Sequence, residues 1–191
     1  MEIRDKNGKI ILALEDADDE SHLTEGEKAL SRGANLERAN LQGADLRNTK
    51  LEYAHLDSAD LSYADLEGAD LAMANMGSAN LFRSNLRNAD LYGSFLNMAS
   101  LEEANLEGVN LQGSNLVQVN LRGANLTNAN LGPDNMGGET ALHSSDLTGA
   151  KVDGARFEQA RYNELTIFPE GFNPKDHDMV FDASSDPRLT N

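Results

Sequence analysis

Cysteine and tryptophan are absent from this chain of 191 residues, and proline occurs only four times. Without cysteine, the protein can form no disulfide, no thiolate nucleophile and no zinc site with sulfur ligands. No apolar run approaches the roughly 18 residues that a membrane-spanning helix needs, and Met1–Lys6 lacks the apolar stretch of a signal peptide. We therefore expect a soluble, cytoplasmic protein that does not contact a membrane.

Groups of side chains that could catalyse a reaction are equally scarce. The four histidines, His22, His55, His143 and His177, lie in different regions, and their spacing suggests neither a triad nor a metal site. The segment Asp176–Asp178 is too short a match to predict a bound metal ion. No P-loop or dinucleotide-binding fingerprint is present. We therefore predict no enzymatic activity, no catalytic residues and no metal or cofactor.

Basic residues are outnumbered by acidic ones. The chain has 32 Asp and Glu against 16 Lys and Arg, which gives a formal net charge of −16. Nucleic acids and anionic membranes are bound by basic surfaces, so this composition argues against direct nucleic-acid binding. It is compatible with a partner protein that is itself basic.

A large apolar residue recurs at every fifth position from Leu36 to Leu131, with Met76 as the single replacement for leucine. The residue two positions earlier is small, usually alanine, and the intervening residue is Asn or Asp in most units. A period of five fits neither an α-helix, which repeats at about 3.6 residues, nor a strand, which repeats at about 2. The repeat therefore predicts a solenoid in which equivalent units stack.

The units Gly33–Arg38 and Ala69–Met73 match the pattern A(D/N)LXX as they stand. In this the chain resembles the pentapeptide-repeat family over about Ala34 to Tyr162. The resemblance implies an all-β solenoid, a right-handed quadrilateral β-helix with four units per coil and the large residues pointing inward. The ladders expected on two of its sides are Leu36, Leu56, Met76, Leu96 and Leu116, and Leu41, Leu61, Leu81, Leu101 and Leu121.

Two columns of residues four units apart support this coil length, because such residues should lie on adjacent turns, about 4.8 Å from each other. The residue after the leucine alternates in charge along the first column, and the next residue alternates between Asn and Gly. The columns read Arg47, Glu67, Arg87, Glu107, Thr127 and Asn48, Gly68, Asn88, Gly108, Asn128.

Residues 1–33 are predicted to form an N-terminal cap. The Ile3 and Ile10–Leu12 segments flank Asn7-Gly8, the strongest two-residue hairpin signal. Thr24–Glu27 has the pattern of a capping box and predicts a short helix ending near Arg32. A cap is expected because the end of a solenoid exposes an unpaired edge.

The regular β-helix is predicted over residues 34–136. From Leu131 to Leu147 there are 16 residues, one more than three units, so we predict one inserted residue near Gly137–Leu142 within an irregular segment, 137–146. Residues 147–166 are predicted to form a final coil, and 167–191 a C-terminal cap with a mobile tail, in which Val180 and Phe181 could dock.

Aromatic residues are concentrated at this end of the chain. The predicted cap residues are Phe157, Tyr162, Phe168 and Phe172. One interpretation is a plug that closes the core. The other is a dimer interface, because some members of the resembled family pair through their C-terminal ends. A monomer and an end-to-end homodimer therefore both remain open.

Large side chains are also expected on the outside of the solenoid. Aromatic residues and Arg are enriched at the centres of protein interfaces, although the same side chains could pack along neighbouring rungs and stiffen the rod. The candidate protein-contact residues are Tyr53, Tyr63, Met73, Phe82, Arg83 and Tyr92.

A non-catalytic protein–protein interaction scaffold of unknown partner is therefore the predicted function. The alternative comes from the resemblance: some relatives inhibit or protect DNA gyrase, a type II topoisomerase, by mimicking duplex DNA. Arg47, Arg83, Arg87 and Arg122 interrupt the acidic residues here, whereas a DNA mimic should have a continuous acidic row. A third hypothesis is a structural spacer.

Overall fold

The computed structural model describes residues 2–4, 10–13 and 33–183. Its regular elements are β1 (Glu2–Arg4), β2 (Ile10–Ala13), β3 (Arg161–Tyr162), the 3₁₀ helix η1 (Pro174–His177) and β4 (Val180–Phe181). Strand β1 pairs antiparallel with β2, as a hairpin requires. The predicted Asn7-Gly8 turn and the predicted helix near Thr24 lie outside the described residues.

Most of the described chain forms a solenoid held by single-residue parallel bridges. In the regular coils each bridge joins residues four units apart, such as Asn35 and His55, and four bridges complete one coil. The bridging residue uses both of its backbone groups: His55 N donates to Ala34 O over 2.9 Å, and Leu36 N donates to His55 O over 2.7 Å. The predicted coil of four units is therefore confirmed.

The solenoid has four faces, which are numbered in the order in which their buried ladders begin in the sequence. One five-residue unit on one face is called a rung. The first face has Leu36, Leu56, Met76, Leu96, Leu116 and Leu142, and the second has Leu41, Leu61, Leu81, Leu101, Leu121 and Leu147. The third has Leu46, Leu66, Leu86, Leu106, Leu126 and Val152, and the fourth has Leu51, Leu71, Leu91, Leu111, Leu131 and Phe157. All are buried except Val152, which is half-buried.

The corner between two faces explains the residue preferences of the unit. Ala39 N donates to Leu36 O over 3.0 Å, and Arg38 has a φ of 56°, as the third residue of a type II turn requires. Asn35 Oδ1 accepts a hydrogen bond from Glu37 N over 3.2 Å. A short side-chain acceptor before the leucine therefore holds each turn from outside.

The irregular segment begins earlier than predicted, and it contains more inserted residues. Asn115 bridges to Ala141, whereas a regular coil would pair it with Asn135, so this coil contains six extra residues rather than one. They lie between Leu131 and Leu142, and Leu142 already occupies the first face. Insertions of one and of six residues shift a five-residue register identically, so the spacing to Leu147 could not distinguish them.

The C-terminal residues continue the solenoid further than predicted. Strand β4 pairs in parallel with β3 and adds a rung to the first face. Ile167 N donates to Ser145 O over 2.9 Å and adds a rung to the second. Of the two alternatives for the tail, the docking of Val180 and Phe181 is the one that the structure shows, because β4 satisfies backbone groups on an otherwise open edge.

Candidate interaction surface

Two aromatic side chains meet on the second face. Tyr63 and Phe82 lie on consecutive rungs, with their ring centroids 5.5 Å apart and their planes at 90°. Tyr63 is 50% exposed and Phe82 is half-buried. The edge-to-face arrangement is one that aromatic pairs favour, so the two rings fix each other at the surface.

Arg83 completes this cluster. Its Cζ lies 4.9 Å from the centroid of the Phe82 ring, and its Nε donates to Glu103 Oε2 over 2.7 Å. The hydrogen bond to Glu103 is the main cause that raises the pKa of Arg83, and Tyr63 adds to the shift. We call Tyr63, Phe82, Arg83 and Glu103 the second-face patch. Three of the six predicted contact residues are thus brought together.

The other three predicted contact residues lie on the fourth face. Tyr53 is 52% and Met73 is 39% exposed, and the Met73 thioether lies over Gly93 on the next rung. Tyr92 has a different role, because its hydroxyl donates to Asp134 Oδ2 over 2.9 Å. This hydrogen bond raises the pKa of Tyr92. Tyr92 therefore anchors the inserted segment.

That inserted segment, residues 132–140, is ordered around a carboxylate. Asp134 Oδ1 accepts hydrogen bonds from the amides of Met136 and Gly138, and Gln112 Nε2 donates to Pro133 O. The Gly138 amide is the main cause that lowers the pKa of Asp134. Met136 at the tip is 85% exposed. The sequence prediction misses this exposed side chain because it places residue 136 within the regular repeat.

The seven arginines of residues 33–183 all form ion pairs. On the third face, Arg87 lies between Glu67 and Glu107, at 3.6 and 3.8 Å, as the alternating column predicts. Arg47 instead contacts Asp45 at 2.6 Å and Asp65 at 3.6 Å. The remaining pairs are Arg38–Glu37, Arg83–Glu103, Arg122–Asp146, Arg156–Glu158 and Arg161 with Glu139 and Asp182.

The C-terminal aromatic residues cluster at the end of the core. Phe157 is 1% exposed and contacts Phe172 edge-on, with centroids 5.2 Å apart. Phe172 stacks on Phe168 at 5.0 Å and on His177 at 4.3 Å. Tyr162 contacts Phe168 edge-on at 5.4 Å. These contacts close the apolar interior and anchor η1 against it.

A charged cluster fastens β4 beside these rings. Arg161 Nη1 donates to Asp182 Oδ2 over 2.8 Å, and its Nε donates to Glu139. His143 Nε2 lies 3.3 Å from the same Asp182 oxygen. The Arg161 hydrogen bond is the main cause that lowers the pKa of Asp182. The inserted segment, β3 and β4 are therefore joined by one group of charges.

Among residues 2–4, 10–13 and 33–183, no three His, Asp or Glu side chains form a group that could hold a metal ion. No helix within these ranges is long and apolar enough to cross a membrane.

Solved structures with partial similarity include three repeat proteins. HetL, a pentapeptide repeat protein involved in heterocyst differentiation regulation from the cyanobacterium Nostoc sp. strain PCC 7120, is 30% identical, with 85% of this chain and 79% of HetL covered and a TM-score of 0.39. The pentapeptide repeat protein alr5209 from Nostoc PCC 7120 is 27% identical, with coverages of 70% and 84% and a TM-score of 0.33. QnrB1, a plasmid-mediated fluoroquinolone resistance protein, is 17% identical, with coverages of 78% and 87% and a TM-score of 0.30. No curated protein matches.

The family model described as pentapeptide repeats matches residues 32–62, 59–97 and 99–132, in eight copies. These ranges cover more than half of the chain and coincide with the regular coils. The four bridges per coil agree with the quadrilateral β-helix of that family, which also implies its right-handed course. This chain belongs to the pentapeptide-repeat family.

Proposed function

We propose that this protein is a non-catalytic scaffold that binds a partner protein through the second-face patch. The observation that carries the proposal is the arrangement of Tyr63, Phe82 and Arg83, which are surface-exposed or half-buried and held by contacts with one another and with Glu103. Exposed aromatic rings without such contacts would have to be ordered on binding.

Preordering favours affinity because immobilising a flexible side chain at an interface costs about 0.5–1.5 kcal/mol. In the patch, the Arg83 guanidinium lies over the Phe82 ring. The Tyr63 ring packs against Phe82 with the two ring planes at 90°. Tyr and Arg are among the residues that most often dominate binding energy. The patch is therefore suited to be the centre of an interface.

The surroundings of the patch favour a basic partner. Asp60 and Glu102 lie on the same face as the patch. Asp60 accepts hydrogen bonds from Ser62 and Asn80, and Glu102 accepts one from Asn120, so all of these donors are neutral. Their negative charges are therefore not cancelled by these contacts. A partner with Lys or Arg around an apolar side chain would complement both the rings and the carboxylates.

A DNA mimic is less well supported by the charges. Each arginine of residues 33–183 forms an ion pair, and these pairs occur on all four faces. Mimicry requires a row of carboxylates that replaces many phosphates. The paired arginines break such a row, whereas they leave the second-face patch intact.

Site-specific photo-crosslinking in cells tests the scaffold proposal. A crosslinking amino acid replaces Tyr63, and the control replaces Gln118, an exposed residue of the first face. We expect one protein to be crosslinked from position 63 and not from 118. Binding of that purified protein should weaken about tenfold or more with Y63A and with R83A. Equal crosslinking from both positions, or unchanged affinity, would overturn the proposal.

DNA gyrase distinguishes the alternative. Supercoiling by the purified enzyme is measured with and without micromolar protein, and with and without a quinolone. We expect no effect. Inhibition, or protection from the quinolone, would favour the DNA mimic. A chain that neither affects gyrase nor crosslinks from any exposed position would be a spacer.

A further inference from the structure

The third face differs from the others because none of its outward positions holds a large apolar side chain. It has six rungs in unbroken register, since Asn125 bridges to Lys151 beyond the inserted segment. The residue before the ladder forms its polar column: Asp45, Asp65, Asn85, Asn105, Asn125 and Lys151. The residue after the ladder forms its charged column: Arg47, Glu67, Arg87, Glu107, Thr127 and Asp153.

Each column is complementary in charge to the same column read in the opposite direction. When the face is opposed to a copy with the rungs in reverse order, the first rung meets the sixth, and Asp45 faces Lys151 while Arg47 faces Asp153. At the centre the third rung meets the fourth, and Arg87 faces Glu107. Between them, acidic residues face only the neutral residues Asn125 and Thr127. No residue faces another of like charge.

The second residue after the ladder forms a third column, which is complementary in shape to the same column of the reversed copy. It reads Asn48, Gly68, Asn88, Gly108, Asn128 and Gly154, so each Asn faces a Gly in the reversed copy. Within the chain, each Asn leans over the Gly of the following rung. Asn48 Oδ1 lies 2.6 Å, and Asn88 Oδ1 2.5 Å, from where a β-carbon on Gly68 or Gly108 would be. Along this column no side chain larger than Asn projects, so the corresponding column of another copy can approach it closely.

We propose that the third face is a self-complementary contact through which two copies of this chain pack side by side with antiparallel solenoid axes. The two-fold axis lies along the strand direction, between the third and fourth rungs. A two-fold contact is isologous, so every opposed pair occurs twice. The Arg47–Asp153, Asp45–Lys151 and Arg87–Glu107 pairs therefore each occur twice between the two chains, and the first two extend the Arg47–Asp45 pair that is already present within each chain.

The contact is weak and sensitive to salt. Six rungs spaced by about 4.8 Å make a patch about 24 Å long, which is small for a stable interface. Its pairs are exposed and are screened within about 10 Å at 0.1 M ionic strength. The 3.6 and 3.8 Å contacts of Arg87 within its own chain leave that side chain free to turn toward a partner copy.

This homotypic contact goes beyond the proposed scaffold function and does not depend on it. The second-face patch lies on the neighbouring face, so it stays exposed in the paired molecule. Loss of partner binding through Tyr63 or Arg83 would leave the pairing of third faces unchanged.

Sedimentation equilibrium of complementary charge variants tests the proposal. We expect the wild type to dimerise at about 0.01 M ionic strength and to dissociate at about 1 M. In an R87E dimer two acidic side chains would face each other at the centre, and in an E107R dimer two basic ones would. Each variant should therefore self-associate about tenfold or more weakly than the wild type. An equimolar mixture of the two restores both pairs, and it should form heterodimers with wild-type affinity.

The controls change the net charge by the same amount on other faces. R122E lies on the second face and E37R on the first, and we expect both to dimerise as the wild type does. Melting temperatures establish that every variant is folded. A wild type that is monomeric at low salt, R87E that dimerises normally, or a mixture that stays monomeric would overturn the proposal. Dimerisation lost instead with F181D would place the contact at the C-terminal end and also overturn it.

Discussion

Asn48 and Gly68 occupy successive rungs of the third face, and the Asn48 amide oxygen fills the space where a β-carbon on residue 68 would lie, 2.6 Å away. Gly68 also has a φ of 66°, a left-handed conformation that side chains with a β-carbon adopt at a cost. Two separate physical effects therefore favour glycine at this position.

Gly43 allows these two effects to be separated. It has the same φ of 66°, but nothing lies within 4 Å of its β-carbon position. We expect G43A to lower the free energy of unfolding by about 1 kcal/mol through backbone strain alone. G68A should cost about 1 kcal/mol more because it also displaces Asn48. Urea denaturation measures both.

N48G provides the control for this interpretation. It removes the amide and keeps a residue that tolerates a positive φ. In the N48G background, the cost of G68A should fall to that of G43A. An unchanged cost would show that the Asn48 contact does not determine the residue at 68.

A second prediction concerns the buried ladder of the first face. Leu96 and Met76 are both fully buried on consecutive rungs. L96A should lower the free energy of unfolding by about 2–5 kcal/mol, because the stacked rungs above and below limit collapse of the cavity. M76L preserves volume and should change it by less than about 1.5 kcal/mol. Chemical denaturation followed by circular dichroism distinguishes them, and equal effects would contradict a tightly packed core.

The five-residue register made the regular coils predictable from sequence. The repeat of Leu56, Leu61 and the other large residues predicts a solenoid, and the resemblance to the pentapeptide-repeat family implies its four-sided stack with four units per turn. The two columns beginning at Arg47 and Asn48 then indicated which residues become neighbours. In such a fold, the spacing of the repeat in the sequence is enough to identify the residues that lie next to each other on adjacent rungs.

The departures from the repeat were not predictable by the same means. The six extra residues between Leu131 and Leu142 shift the five-residue register by one, as a single inserted residue would, so only the hydrogen bonds of Asp134 show where the chain leaves the coil. Strand β4 has no leucine period, and its place depends on contacts with Arg161 from another coil. The role of Tyr92 likewise depends on a residue 42 positions away.

The hydrogen bond between Tyr92 and Asp134 leads to a third prediction. Y92F removes only the hydroxyl that donates to Asp134, so the coil should remain folded while the inserted segment opens more often. We expect amide hydrogen exchange at Met136 and Gly138 to become several-fold faster, with Leu91 unchanged. Y53F on the same face is the control and should alter none of these rates. Unchanged exchange at Gly138 would show that the backbone bonds alone hold the segment.

The fourth prediction concerns acid and strand β4. The hydrogen bond from Arg161 lowers the pKa of Asp182 below its ordinary value, which is about 3.9. The ionised carboxylate therefore stabilises the docked strand fully above that ordinary value, and this contribution is lost as the pH falls through the lower folded-state pKa. Acidification from about pH 5 toward pH 2 should loosen β4.

Nuclear magnetic resonance of the Val180 and Phe181 amides can follow this loss locally, because Val180 N donates to Ala160 O over 2.9 Å when β4 is docked. D182N cannot ionise, so its β4 should be less well docked at neutral pH and should change less across the acidic range. Glu139 and His143 also face this cluster, and both are retained in D182N. D146N, which removes the carboxylate partner of Arg122 on the second face, should leave the Val180 response as in the wild type. An acid response in D182N equal to that of the wild type would assign the loosening of β4 to the other groups of the cluster.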